Sequence, residues 1–286
     1  MTGPEGFRQA VGAGRHGFTV IYLAALFLTS LSASTACAAP GPIADSLNEF
    51  NVELPTELRE LAGHGKPSPV THARVTIGVP ANVDMANHPP VLIVSATADP
   101  EYHSSRRLLG RYSEAALANG WIIVAADPEE NVSFEDDDVP LRLALNMAAL
   151  AILGQQWPEA GKAPLAFGGF SGGAKYSGWL AAAFAAQGRT IVGIYLAGIN
   201  QDTLVPAATQ FKVLNAAFKR IPVFLQAGEE DDVATPADHR DIASRLKRAG
   251  FENIRIEYFP GQHQVEPGPL RVALRWFREL VEGGRR

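Results

Sequence analysis

Short apolar segments alternate with longer helical segments along most of this chain of 286 residues. The apolar segments have the length and composition of buried strands, and the segments between them repeat apolar residues at helical spacing. Because strand and helix alternate, we predict an α/β fold with a mostly parallel central sheet and helices on both faces. The predicted strands are residues 71–79, 91–94, 121–125, 164–167, 191–196, 223–227 and 254–258. The predicted helices are about residues 104–118, 140–156, 172–187, 207–219, 236–249 and 268–282.

The turn between the fourth predicted strand and the next helix has an unusual sequence, since residues 169–173 are Gly-Phe-Ser-Gly-Gly. A Gly-x-Ser-x-Gly pattern between a strand and a helix is typical of a nucleophile elbow, where the serine projects from a strained turn. The amide of Gly172 would open the helix and point at a developing oxyanion. Ser171 is therefore the candidate nucleophile and Gly172 the first candidate oxyanion donor. The alternative is a serine in a tight turn without a catalytic role.

A serine nucleophile needs a general base, and the base needs an acid that orients it. Asp231 follows the predicted strand 223–227, and His263 follows the predicted strand 254–258. Each residue thus comes just beyond the carboxyl end of a strand, which is the edge where α/β sheets build ligand sites. We predict that His263 is the base and Asp231 the acid.

Other titratable residues leave alternatives open. His103 is the alternative base, whereas His239 is predicted on the surface of a helix. Asp232 is the alternative acid, followed by Glu229 and Glu230, and the ordinary role of this acidic turn would be a solvated loop.

These residues resemble the α/β-hydrolase superfamily, near its esterase and dienelactone-hydrolase-like members. In such relatives an acid often stands three residues after a strand-ending glycine, as Asp231 does after Gly228. A Pro-Gly-x-His turn before the last helix matches residues 260–263. The resemblance covers roughly residues 70–283. It implies a serine hydrolase with a Ser171, Asp231 and His263 triad that needs no metal and no organic cofactor.

One departure from the resemblance concerns the second oxyanion donor. Relatives often carry His-Gly after the strand that precedes the first large helix, but Ser95 and Ala96 stand there in this chain. By position, the amide of Thr97 then provides the second donor. The glycine-rich loop of lipase-like relatives is absent from this turn.

The resemblance implies cleavage of a small-molecule or polymeric ester through an acyl-enzyme. A serine peptidase of the same fold is an alternative, because the elbow does not distinguish esters from amides. A non-catalytic binding protein of the hydrolase fold is another, because it would explain the irregular oxyanion turn. About 20 residues separate the strand ending near Ile199 from the next one, too few for a large lid, and this predicts an open cleft.

The N-terminal residues are typical of a secretory signal peptide. Arg8 and Arg15 precede an uncharged apolar run, residues 18–31, and small residues follow up to residue 39. Cleavage after Ala38 would leave residues 39–69 as a polar lead-in with a helical patch near 54–61, followed by a catalytic domain at 70–286. We therefore expect a secreted, periplasmic or cell-envelope protein.

Two other fates of the N-terminus remain open. Residues 18–31 are short for a membrane span, which usually needs about 20 apolar residues, yet a retained anchor is possible. Cys37 is the single cysteine and is a second candidate for membrane attachment, by lipidation, although Ser34 stands where a lipobox has leucine. A membrane partner is expected only in these two cases. Cleavage after Ala38 leaves no cysteine, hence no disulfide and no cysteine metal site.

Charge argues against nucleic acid as a partner. The net charge of −5 becomes −6 after cleavage, which removes Arg8, Arg15 and Glu5, two positive charges and one negative. The acidic run at residues 135–138 lacks the alternating ligands and the glycine of an EF-hand loop, so a solvated loop is expected rather than a calcium site.

The signal segment gives a first test. Expressed in a bacterial host with its N-terminus intact, the protein should begin at or near Ala39, as measured by mass spectrometry of the mature chain. If Cys37 is lipidated instead, the mature chain should begin there, carry acyl groups and partition with membranes. A cytosolic product that begins at Met1 or Thr2 would contradict both export routes.

Overall fold

The computed structural model describes residues 47–81, 83–99 and 101–283. The predicted signal segment, its cleavage site and Cys37 lie outside the described residues. The strands are β1 Leu47–Glu53, β2 His72–Gly78, β3 Val91–Ser95, β4 Ile122–Pro128, β5 Leu165–Phe170, β6 Ile191–Ala197, β7 Val223–Gly228 and β8 Ile254–Phe259. The helices are α1 Thr56–Ala62, α2 Ser105–Ala118, α3 Val139–Gln156, α4 Gly172–Ala186, α5 Leu204–Gln210, α6 Ala216–Lys219, α7 Pro236–Arg248 and α8 Pro267–Gly283.

The eight strands form one sheet in the order β1-β2-β4-β3-β5-β6-β7-β8. β1 and β2 pair antiparallel, as do β2 and β4, whereas every pairing from β4 to β8 is parallel. In β3, β5, β6 and β7 all residues are buried except Phe170. Such strands are buried on both faces, which explains why the sequence shows continuous apolar runs there.

Helices cover both faces of this sheet, as predicted. α2 and α8 pack on one face, where Leu109 and Phe277 belong to the same buried cluster. The remaining helices pack on the other face around a larger core that includes Leu180 and Leu246. Within the part of the chain that the structure describes, no helix is long and apolar enough to span a bilayer.

The lead-in predicted at residues 39–69 is more structured than expected. Residues 47–53 form β1, which pairs along its whole length with β2 at the edge of the sheet. α1 follows and packs against α3. The strand escaped sequence analysis because its burial alternates between exposed and half-buried positions, so it carries few large apolar residues.

The predicted helix at 207–219 is divided into α5 and α6. Lys212 has a left-handed backbone with φ 57°, which ends the first helix. The Asn215 side chain then accepts a hydrogen bond from Phe218 N at 3.0 Å and caps the second. α5 buries Leu204, Ala207 and Ala208 in the core, so this segment packs down on the domain and forms no large lid.

The prediction that His239 lies on the surface of a helix is wrong. Its side chain is fully buried in the first turn of α7. Nδ1 lies 2.9 Å from Thr235 O, and Ile199 N–H donates to Nε2 at 3.3 Å, so the neutral tautomer carries its proton on Nδ1. Burial lowers the pKa of His239, although hydrogen bonding to Thr235 O and the Asp231 charge oppose this.

His239 should make stability depend on pH. A histidine with a lowered pKa in the folded state contributes stability above its unfolded pKa of about 6.5 and loses it as pH falls, by at most about 1.4 kcal/mol per pH unit. We expect the difference in unfolding free energy between wild type and His239→Gln to shrink between pH 7.5 and 5.5. Urea unfolding at both values measures it, and a constant difference would contradict the prediction.

Candidate active site

Ser171 occupies a strained turn between β5 and α4. Its backbone has φ 56° and ψ −119°, a combination that costs energy for any residue with a side chain. The turn is held on both sides, because Ser171 N–H donates to Ala197 O at 2.9 Å and Ser171 O accepts from Ala174 N–H at 3.1 Å. The strand and helix therefore fix a conformation that projects this one side chain beyond the carboxyl edge of the sheet.

Gly172 lies against the turn that follows β3. A Cβ on Gly172 would stand 2.8 Å from Thr97 Cβ and 3.1 Å from Thr97 Cα, so only glycine allows this approach. Gly172 is the first residue of α4, and its amide has no carbonyl partner within the helix. The structure thus brings the two predicted oxyanion donors, Gly172 and Thr97, side by side.

The amides around Thr97 are already engaged. Ala96 N–H donates to Ser105 Oγ at 3.1 Å, and Asp99 N–H donates to Thr97 Oγ1 at 3.3 Å. Neither of these two amides is available to an oxyanion. Thr97 N–H, which lies between them in sequence, stays the predicted donor of this turn.

Asp231 and His263 are hydrogen-bonded, with Oδ2 and Nδ1 2.8 Å apart. The Asp231 side chain is 1% exposed and that of His263 is 20% exposed. Asp231 Oδ1 accepts from Val233 N–H at 2.9 Å and from Ala234 N–H at 2.8 Å. Because a carboxylate only accepts, Nδ1 carries the proton of the neutral imidazole and Nε2 has a lone pair. A base in this state can take a proton through Nε2.

The acid turn and the histidine turn are tied together by backbone contacts. Glu230 N–H donates to Gly261 O at 2.9 Å, and a Cβ on Gly228 would lie 2.5 Å from Gln262 O. The elbow reaches the same place, because the ring of Phe170 lies 4.5 Å from that of His263, centre to centre. Three turns, after β5, β7 and β8, therefore meet at one edge of the sheet.

The alternatives weighed from sequence lie in different environments. Asp232, Glu229 and Glu230 are exposed, and Asp231 is the carboxylate that pairs with His263. His103 is exposed in the loop before α2. Geometry thus favours the pair Asp231 and His263 over the other residues considered.

The acidic run at 135–138 is only partly solvated, which corrects the expectation of a solvated loop. The Asp137 side chain is 7% exposed and pairs with Arg142, whose Nε lies 2.5 Å from Oδ1. Asp138 Oδ1 accepts from Leu141 N–H at 3.0 Å and caps α3. These carboxylates build the start of a helix. Among the residues described, no group of three or more His, Cys, Asp or Glu is arranged to hold a metal ion.

Sequence reasoning missed Arg142 and Ser105, which both touch the turn at Thr97. The signal for Arg142 is present, since it is a lone charge in the apolar run of α3 and a buried charge requires a partner. Ser105 gave no such signal, because a serine near a helix start is ordinarily a cap. Asp127, at the end of β4, accepts from Ser105 N–H and Arg106 N–H at the start of α2, each at 2.9 Å.

Comparison with known proteins gives structural matches alone. No protein-family model matches this sequence, and no curated protein matches it significantly. A lidless α/β serine hydrolase from Xanthomonas campestris is 16% identical, with a TM-score of 0.52 over 87% of this chain and 97% of that one. An esterase from the archaeon Pyrobaculum calidifontis is 12% identical, with a TM-score of 0.53 over 85% of each chain.

A peptidase is also among the structural neighbours. The acylaminoacyl peptidase of Pyrococcus horikoshii is 12% identical, with a TM-score of 0.50 over 84% of this chain but 41% of its own. At such identities the matches show the fold alone. The fold of this chain is that of the α/β-hydrolase superfamily.

Proposed function

We propose that this protein is an exported serine hydrolase that cleaves carboxylic esters. In this proposal Ser171 is the nucleophile, His263 the general base and Asp231 the residue that orients the base. The observation that carries it is the hydrogen bond between Asp231 and His263, whose ring contacts Phe170, the residue before a serine in the backbone conformation of an elbow.

Attack on the ester begins when His263 Nε2 takes the proton of Ser171 and Oγ bonds to the acyl carbon. The carbonyl oxygen becomes an oxyanion, which accepts hydrogen bonds from the amides of Gly172 and Thr97. Asp231 holds the imidazole in the tautomer with a proton on Nδ1 and stabilises the imidazolium that forms. Its two backbone donors, from Val233 and Ala234, keep that carboxylate in place.

Collapse of the tetrahedral intermediate then releases the alcohol. The imidazolium gives its proton to the leaving alkoxy oxygen, the bond from that oxygen to the acyl carbon breaks, and alcohol departs. Water then attacks the acyl-enzyme while His263 takes its proton. Collapse of the second tetrahedral intermediate returns the proton to Ser171 Oγ and frees the acid. The cycle consumes the ester and one water and needs no further reactant.

Esters are favoured over peptides by the neighbours of matching length. The lidless hydrolase and the archaeal esterase are covered over 97% and 85% of their chains, whereas this chain spans less than half of the peptidase. A series of nitrophenyl esters of increasing acyl length, measured beside an aminoacyl nitroanilide, separates the two activities and reports the acyl preference.

Export is part of the same proposal and depends on the N-terminal sequence. Arg8 and Arg15, the apolar run 18–31 and the small residues before Ala39 support a secreted or envelope location. The expected partner is then an ester outside the cytoplasm.

Replacing the nucleophile tests the reaction. Ser171→Ala should lower ester turnover by about 10³–10⁶ with the fold intact, because no other group forms the acyl-enzyme. It should also abolish labelling by a fluorophosphonate probe. Ser244→Ala removes an exposed serine on α7 and is the matched control, expected to keep both.

Two results would reject this role of Ser171. One is a well-folded Ser171→Ala variant that keeps more than about a tenth of wild-type turnover. The other is a wild-type protein that neither reacts with the probe nor cleaves esters, as expected of a non-catalytic binding protein.

Two adjacent carboxylates give a matched test of the acid. Asp231→Asn should lower turnover by about 10³–10⁴, because the amide donates to Nδ1 and forces the wrong tautomer of His263. Asp232→Asn changes an exposed side chain and should cost less than about tenfold. Steady-state kinetics with a nitrophenyl ester measure both, and the reverse order would mean that Asp232 is the acid.

A further inference from the structure

Arg142 is a buried charge beside the candidate site. It lies in the apolar helix α3, and its side chain is 1% exposed. A buried guanidinium is costly unless it is paired and its donors are satisfied. Nε and Nη2 of Arg142 lie 2.5 and 2.6 Å from the two carboxylate oxygens of Asp137, a bidentate pair. Burial alone would lower the pKa of Arg142, but the Asp137 carboxylate together with the more distant charge of Asp127 raises it, so the group stays charged.

The same guanidinium reaches the turn after β3. Nη2 donates to Thr97 O at 3.4 Å, and Nη1 donates to Ser105 Oγ at 3.3 Å. Ser105 Oγ accepts in turn from Ala96 N–H at 3.1 Å. Arg142 therefore contacts one residue of this turn directly and a second through Ser105.

The ion pair also contacts α4, the helix that begins at Gly172. Tyr176 OH donates to Asp137 O at 2.5 Å, and the Arg142 guanidinium lies 5.0 Å from the centre of the Tyr176 ring. One buried pair thus touches both backbone segments that approach each other at Thr97 and Gly172. The ion pair is therefore placed to fix the distance between the turn at Thr97 and the start of α4 at Gly172.

We propose that Arg142, held by Asp137, is a positioning residue that sets the place of the Thr97 amide as oxyanion donor. This inference rests on the proposed function and extends it to a residue outside the reacting groups. This turn has Ser95 and Ala96 where relatives often have His-Gly. Its backbone is hydrogen-bonded instead by the side chains of Ser105 on α2 and Arg142 on α3.

An oxyanion donor acts only if it is already in place, because its value depends on alignment with charge that develops in the transition state. A looser Thr97 amide would weaken binding of the tetrahedral state and leave ground-state binding unchanged. A merely structural ion pair would change thermal stability without this distinction. Loss of a positioning residue should therefore lower kcat and leave KM unchanged, whereas loss of a merely structural ion pair should not.

The experiment compares Arg142→Met, Arg142→Lys and Ser105→Ala with wild type. kcat and KM are measured on a nitrophenyl ester, together with the inhibition constant of a trifluoromethyl ketone. That ketone bonds to Ser171 Oγ, passes the serine proton to His263 and leaves an oxyanion, so its affinity reports the donors. Arg189→Met is the matched control, since Arg189 is a partly buried arginine whose Nη2 donates to Ala163 O near the amino end of β5.

Arg142→Met should lower kcat about 10–100-fold with KM within about twofold of wild type, and ketone affinity should fall by the same factor as kcat/KM. Arg142→Lys keeps the charge but lacks the guanidinium fork that reaches Asp137, Thr97 and Ser105 together. Its kcat and ketone affinity should therefore lie between those of wild type and Arg142→Met. Ser105→Ala should show a weaker loss of the same kind. Arg189→Met should leave kcat and ketone affinity unchanged.

The inference is overturned if Arg142→Met and Ser105→Ala lose thermal stability but keep kcat and ketone affinity, or if KM rises while kcat holds. Should the Arg142 variants fail to fold, the small substitution Ser105→Ala decides by the same measurements. A wild-type protein without turnover or Ser171 labelling rejects the proposed function and this inference with it. An active wild type with unaffected variants rejects this inference alone.

Discussion

The parallel alignment of β3, β5, β7 and β8 within one sheet is the constraint on which the candidate site depends. Parallel strands end at the same edge, so residues far apart in sequence meet there without any direct attraction between them. The site also requires the turns after these strands to lie in close contact, and two glycines allow this contact. Gly172 lets Thr97 approach the elbow closely. Gly228 lets the turn that carries His263 approach the turn that carries Asp231. The sheet places the turns at one edge, and the absence of a Cβ on each glycine allows the turns to approach closely.

Two buried charges flank this edge, and each is neutralised in its own way. Asp231 receives two backbone amides and the imidazole of His263, so its charge is spread over three donors. Arg142 forms an ion pair with the Asp137 carboxylate and donates a hydrogen bond to Thr97 O in the turn after β3. In both cases desolvation is offset by fixed partners, which leaves the charge little freedom to move. A preorganised site needs this kind of order.

The fold and the residues of the candidate triad could be predicted because their signals are local. The central strands β3, β5, β6 and β7 are mostly apolar runs, and Ser171, Asp231 and His263 come within four residues of the ends of β5, β7 and β8. β1 was missed, since an edge strand with one solvated face has little apolar character. His239 was misjudged because one of its two partners, Ile199, is distant in sequence. Arg142 was missed although its place as a lone charge in the apolar run of α3 is a signal of a buried ion pair.

The fold by itself does not choose between esters and peptides, because structural neighbours with both kinds of name share it. The choice must lie in groups beyond the carboxyl edge of the sheet. In this chain α5 and α6 pack down on the core, so they leave the elbow without a large cover. Phe170 is half-buried beside His263, and Tyr102 is 63% exposed in the loop before α2. Under the proposed function, substrate contacts would come from short loops, whose sequence varies with little cost to the core below them.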